Sequence, residues 1–153
     1  MSKELNSATQ EKAAGLLNSG NVDAFVDTLF APDAVDHDPA PDQGLGREGF
    51  RSFFHSLATA FPDAHLEPVA MVADDDHIAF AYTLTGTHRG DFQGIAPSGK
   101  SIEVRGLQIG RFANGQIVER WGSSDQLGIL QQIGAAPGGS PSLVDKVKGA
   151  FGG

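Results

Sequence analysis

The stretch Ser101–Ser124, SIEVRGLQIGRFANGQIVERWGSS, decides the fold. Its apolar residues recur with period two on both sides of Asn114-Gly115, and Asn-Gly is the dipeptide that best supplies two left-handed residues to a tight hairpin turn. Two antiparallel strands follow, one from about Lys100 to Phe112 and one from Gln116 to Ser124. In the first, Ile102 and Val104 lie in one phase and Leu107 and Ile109 in the other, so a bulge is expected at Gly106, a device that bends a sheet around a cavity.

Upstream the period stays at two. A strand from Ala64 to about Ala73, a turn at Asp74-Asp75-Asp76 and a strand carrying Ile78, Phe80, Tyr82 and Leu84 on one face read as a second hairpin. Further upstream the period changes to that of a helix. Val22, Phe25, Val26, Leu29 and Phe30 follow the capping residue Asn21, with Pro32 as the expected stop, and Thr9–Leu17 forms a weaker helix before them. A third helix carries Phe50, Phe53, Phe54, Leu57 and Phe61 and closes at Pro62, after a turn-rich loop over Asp38–Gly44. Leu127, Leu130 and Ile133 mark a short closing helix. Helices followed by a long antiparallel run, without βαβ alternation, give an α+β class and argue against a doubly wound nucleotide-binding fold. Residues 1–135 form one domain on this reading, and 136–153, rich in Ala, Pro, Gly and Ser, form a mobile tail.

Composition narrows the function classes. The 153 residues carry a formal charge of −8 with scattered Lys and Arg, which suits neither a phosphate backbone nor an anionic membrane surface. No run approaches a membrane span and the first residues lack the apolar core of a signal peptide, so the expectation is a cytoplasmic protein. With no cysteine, thiolate chemistry and disulfides are out. His37-Asp38 and His88-x-x-Asp91 offer imidazole and carboxylate but no helical histidine pair or close triad, so no metal is expected.

Several phrases, in order, resemble the SnoaL-like polyketide cyclase family: Val35-Asp36-His37-Asp38-Pro39, Ala60-Phe61-Pro62-Asp63, Gly86-Thr87-His88-Arg89-Gly90-Asp91-Phe92, Pro97-Ser98-Gly99-Lys100, and Asn114 to Trp121 followed by Asp125. The resemblance implies a cone-shaped α+β barrel of the nuclear-transport-factor-like superfamily, a curved antiparallel sheet around a pocket covered by the N-terminal helices, often as a homodimer. It implies acid/base catalysis without metal or cofactor on a small hydrophobic carbonyl compound, with the family's acid/base position on Asp125. Where the family places a polar partner on the preceding strand, this sequence has Arg105 and Arg111.

Read from the residues themselves, Asp125 shares parity with Trp121 and Ile117 in an unbulged strand, and a carboxylate desolvated beside an indole suits a general acid or base. It is equally placed to cap the closing helix. His37, ahead of the Pro-rich loop, and His88, in phase with Tyr82 and Leu84, are the candidate proton carriers or donors to a ligand carbonyl. Phe30, Phe54, Tyr82, Arg105 and Trp121 are the candidate substrate-binding residues, although an ion pair with Glu103 or Glu119 would serve the arginines as well. Two classes of function stay open. One is a cyclase or isomerase, with an epoxide hydrolase or ketosteroid-isomerase-like enzyme as variants; the other is a non-catalytic small-molecule binding protein.

Overall fold

The structure, a computed structural model, describes residues 2–135; the tail expected over 136–153 lies outside the described residues. Helix α1 (Lys3–Asn18) starts well before the expected Thr9, because the Ser2 hydroxyl accepts from the Leu5 amide at 3.1 Å and Glu4 sits at the positive end of the helix. Helix α2 (Val22–Leu29) is capped by Asn21, whose Oδ1 accepts from Ala24 N at 3.2 Å, and buries Val22, Phe25, Val26 and Leu29.

Strand β1 (Phe30–Asp36) begins at once, so Pro32 lies within a strand and does not end the helix. The pairing explains how it is tolerated. Phe30 is opposite Ile117 and Val35 is opposite Glu119, so the ladder is interrupted between them and Pro32 falls where no amide is needed. Helix α3 (Gly46–Ala60), strands β2 (His65–Ala73), β3 (His77–Thr87), β4 (Ser101–Ala113) and β5 (Gln116–Ser124), and helix α4 (Gln126–Gln132) complete the fold. Among the described residues no helix is long and apolar enough to cross a membrane.

The strand order is β1-β5-β4-β3-β2. Three pairings are antiparallel, but β1 runs parallel to β5, so the sheet is mixed and not wholly antiparallel as expected. Its outer strands β1 and β2 do not pair with one another, which leaves the cone open. The inner face carries Ile78, Phe80, Tyr82 and Leu84 with Ile102, Val104 and Phe112, packed against the aromatic faces of α2 and α3. Phe30 and Phe50 stack at 3.9 Å, and Phe25 meets Phe54 edge-on at 4.7 Å.

The expected bulge at Gly106 is absent. The β3–β4 ladder runs unbroken from His77↔Arg111 to Thr87↔Ser101, with Tyr82 opposite Gly106. Leu107 and Ile109, 64% and 44% exposed, are therefore in the outward phase and do not mark a switch. The irregularity sits one hairpin further on. Phe112 pairs with Ile117 but Arg111 pairs with Glu119, so Val118 is the extra residue and every β5 side chain after it changes face.

Candidate functional site

That one-residue slip decides which side chains meet. Opposite the inward Gly110, Gln108 and Gly106 stand Arg120, Gly122 and Ser124; opposite the outward Arg111 and Ile109 stand Glu119 and Trp121. Glycines occupy the inner face because side chains from the neighbouring strand or from two residues along the same strand lie over them. A β-carbon on Gly106 would collide with Cζ and Oη of Tyr82, and one on Gly122 would come within 2.7 Å of Arg120 Nη2. The sheet is thus hollow at the centre.

Two adjoining hollows of about 280 and 370 Å³ fill this space. The first is mainly apolar, between α3 and the sheet, with Phe53, Phe54, Leu57, Phe61, Leu84 and Phe92 among its walls. The second lies beneath the 38–44 loop, against Phe30, Phe50, Asp36, Asp38 and Gln43. They share Phe53, Phe54, Gln108, Arg120, Ser124 and Gln126, and so form one two-lobed cleft with a polar waist.

At the waist Arg120, its side chain 15% exposed, donates from Nη1 to Asp36 Oδ1 at 3.1 Å and from Nε to Gln108 Oε1 at 3.2 Å. Asp36 is 8% exposed and its charge is matched on the spot, as a buried carboxylate requires. Its oxygens also accept from Asp38 N and Gln43 Nε2, both at 3.0 Å. Asp38 Oδ2 accepts from Gly122 N at 2.9 Å, while its Oδ1 has no hydrogen-bond partner among the described residues. Tyr82 Oη and Ser124 Oγ are 2.5 Å apart. At the mouth of the first lobe, the Thr87 hydroxyl and then its amide hold the Asp63 carboxyl below its ordinary range.

The cleft gathers three of the sequence-predicted residues. Phe30 lines the second lobe, Tyr82 the first, and Phe54 both. The others lie elsewhere. Trp121 is on the outer face, stacked on the exposed His37 ring at 4.7 Å, because the extra Val118 turned it outward. His37 Nε2 lies 3.5 Å from Glu119 Oε1. Arg111 donates to Glu119 at 2.5 Å and is the main cause of the depressed Glu119 pKa; His37 adds to it. The ion pair expected for the arginines is therefore made by Arg111, whereas Arg105 is exposed on the outer face.

Asp125 also lies outside the cleft walls. The strand ends at Ser124, and the Asp125 carboxylate turns to cap α4, accepting from Gly128 N at 2.8 Å. His88 is fully buried beside Phe61, but it serves the neighbouring loop. The Ser98 amide donates to its Nδ1 at 3.1 Å, which makes Nδ1 an acceptor and leaves the proton of a neutral ring on Nε2, an atom without a partner among the described residues. Among the described residues no group of three His, Asp or Glu is placed to hold a metal ion.

Sequence reasoning missed Arg120, Gln108, Asp36, Asp38 and Ser124. Gln108 carried a signal, since it lies in the inward phase of Ile102 and Val104. Arg120 carried none, because its direction depends on the Val118 slip.

Comparison with known proteins agrees with the fold. IdmH of Streptomyces antibioticus, a proposed polyketide cyclase, superposes with a TM-score of 0.71 at 31% identity, over 84% of this chain and 98% of its own. AclR of Streptomyces galilaeus, a proposed hydroxylase, gives 0.75 at 25% identity over 86% and 97%. TsrD of Streptomyces laurentii gives 0.79 at 24% identity over 88% and 98%, a likeness of fold alone. No curated protein matches the chain. Residues 7–133, which contain all nine elements but the first turn of α1, match the family described as SnoaL-like polyketide cyclase, and the chain belongs to that family.

Proposed function

We propose that the protein is a cofactor-independent acid/base enzyme acting on a small, flat, hydrophobic carbonyl compound, as a cyclase or isomerase. The observation that carries this reading is the convergence of Arg120, Gln108, Tyr82 and Ser124 at the waist of an otherwise apolar cleft. A ligand ring occupies the first lobe and its carbonyl oxygen meets these donors, which stabilise the negative charge that develops when an α-proton is removed. Asp38 is the proton acceptor in this reading, because it lines the second lobe with one carboxylate oxygen free while both Asp36 oxygens are engaged. The proton returns from Asp38 to the product carbon or oxygen once the enolate has closed a ring or moved its double bond.

Asp38→Asn keeps the shape and removes the base. Turnover of flat aromatic polyketide-like ketones and esters is expected to fall about 10²–10⁴-fold with ligand affinity preserved. Asp125→Asn, measured beside it, is expected to keep the helix cap, since an amide oxygen accepts from Gly128 N as the carboxylate does, and to lose little turnover; loss of turnover there and not in Asp38→Asn would move the base to the family position. Ligands bound by both variants and by the wild type but changed by none would make the protein a binding protein. The Arg120–Asp36 pair in the cleft favours a second reading, hydration of an epoxide; diol formation from a small terpenoid epoxide, absent with ketones, would select it.

The homodimer expected from the family resemblance is proposed on the outer sheet face. Leu107 and Ile109 are exposed there beside Ala79, Ala81 and Val72, an uncharged apolar strip of the kind that marks an interaction surface. Light scattering is expected to give the mass of two chains, and the mass of one at working concentration would remove the proposal.

A further inference from the structure

The loop over the second lobe is held in an unusual way. Asp38, Pro39, Pro41, Asp42 and Gly44 are exposed, and Leu45 at its end is 96% exposed, so the segment buries little apolar surface of its own. What holds it is polar. Gln43 accepts from Ala40 N and donates to Asp36 Oδ2, both at 3.0 Å; Arg120 Nη1 reaches Asp38 O at 3.4 Å, and Gly122 N reaches Asp38 Oδ2. Two of these bonds run to the same Arg120–Asp36 pair that forms the waist of the cleft. Segments fastened by few, solvent-reachable hydrogen bonds and little apolar burial lie at the low-stability end of a fold.

The loop ends where α3 begins. Leu45 stands between Gly44 and Gly46, and Gly46 has φ +65°, a region open to glycine at little cost. A leucine fully in water contributes nothing to the free protein's core. Its backbone is anchored as the N-cap of α3, its carbonyl accepting from Gly49 N at 3.2 Å, but its side chain, two residues from a cleft-lining glutamine, meets only water and is unhindered in turning.

Resting on the reading of the cleft as a ligand site, we propose that residues 38–45 are a lid over the second lobe. Gln43 is its latch, and Leu45 is the apolar tip that folds onto the bound ligand. Both are positioning residues: Gln43 holds the loop that carries Asp38, and Leu45 shields the waist from water.

The test uses the full chain and prodan, a flat neutral aromatic ketone whose fluorescence rises on leaving water. Leu45→Ser is expected to raise the thermal midpoint of the free protein slightly, because Leu45 is the N-cap of α3 and makes no cap bond where a serine hydroxyl would, and to weaken prodan binding about tenfold, the factor expected for losing part of a leucine's burial, through faster dissociation. Gln43→Ala is expected to speed both association and dissociation in stopped flow, and Gln43→Glu to restore neither rate, since a carboxylate cannot donate to Asp36. Unchanged prodan affinity in Leu45→Ser overturns the proposal. So does a lower midpoint of the free protein, or an effect that tracks protein concentration, which would place Leu45 against a second chain. Undiminished turnover in Asp38→Asn would count against Asp38 as the base alone and leave these binding results legible.

Discussion

Replacing Arg120 by methionine is expected to cost about 3 kcal/mol of folding stability, the low end of what breaking a buried ion pair costs, because water in the cleft reaches one side of the pair. The loss comes less from the missing attraction than from what stays behind. Asp36 keeps a charge at 8% exposure, with only an amide and a glutamine to replace the guanidinium, and Gln108 and the Asp38 carbonyl each lose a donor. Urea unfolding followed by Trp121, the sole tryptophan, measures it. The double variant Arg120→Met with Asp36→Leu is expected to recover most of the loss, since the orphaned charge goes with its partner. A loss under about 1 kcal/mol, or one that Asp36→Leu does not relieve, would show that the waist is not organised by this pair.

The second large effect is expected at Gly106. Alanine there drives a β-carbon into the Tyr82 ring, and because this is β4 backbone meeting a ring held at 6% exposure, neither side has room to yield. Overpacking of this kind costs about 1–3 kcal/mol. The functional consequence is sharper, because moving the ring parts Tyr82 Oη from Ser124 Oγ and breaks up the hydroxyl pair at the waist, in which one hydroxyl donates to the other and the remaining hydrogen is left for a ligand. Tyr82 is the only tyrosine, so ¹³C-tyrosine NMR reports its ring without overlap. The expected result is a displaced ring signal together with lost turnover. Tyr82→Phe added to Gly106→Ala is expected to recover only part of the stability, since the clash includes Cζ as well as the hydroxyl. An unmoved tyrosine signal in Gly106→Ala would mean that the sheet gives way instead.

Much of the architecture was legible before any coordinates. Period-two runs located β2 to β5, Asn114-Gly115 located their last hairpin, and the phenylalanine spacing located α3, because these features depend on short stretches of chain. Phe30, Phe54 and Tyr82 were placed on the cleft for the same reason: each sits on the apolar phase of its own element. The misreadings share a cause. Gly106 was read as a bulge from the phase change between Val104 and Leu107, yet the glycine answers to a ring on the neighbouring strand. Trp121 and Asp125 were placed inward by counting parity through Val118, where the ladder slips by one residue.

The sequence by itself determined the α+β class, the order of the four helices and of β2 to β5, the aromatic character of the cleft wall and the family, since all of these are written in local periodicity and in short phrases in a set order. The tertiary structure alone decided which polar side chains meet. Arg120 faces Asp36 across 84 residues, and Tyr82 faces Ser124 across 42. Such pairs depend on strand register, a one-residue slip inverts them, and no periodicity within a single strand records what its neighbour's register will be.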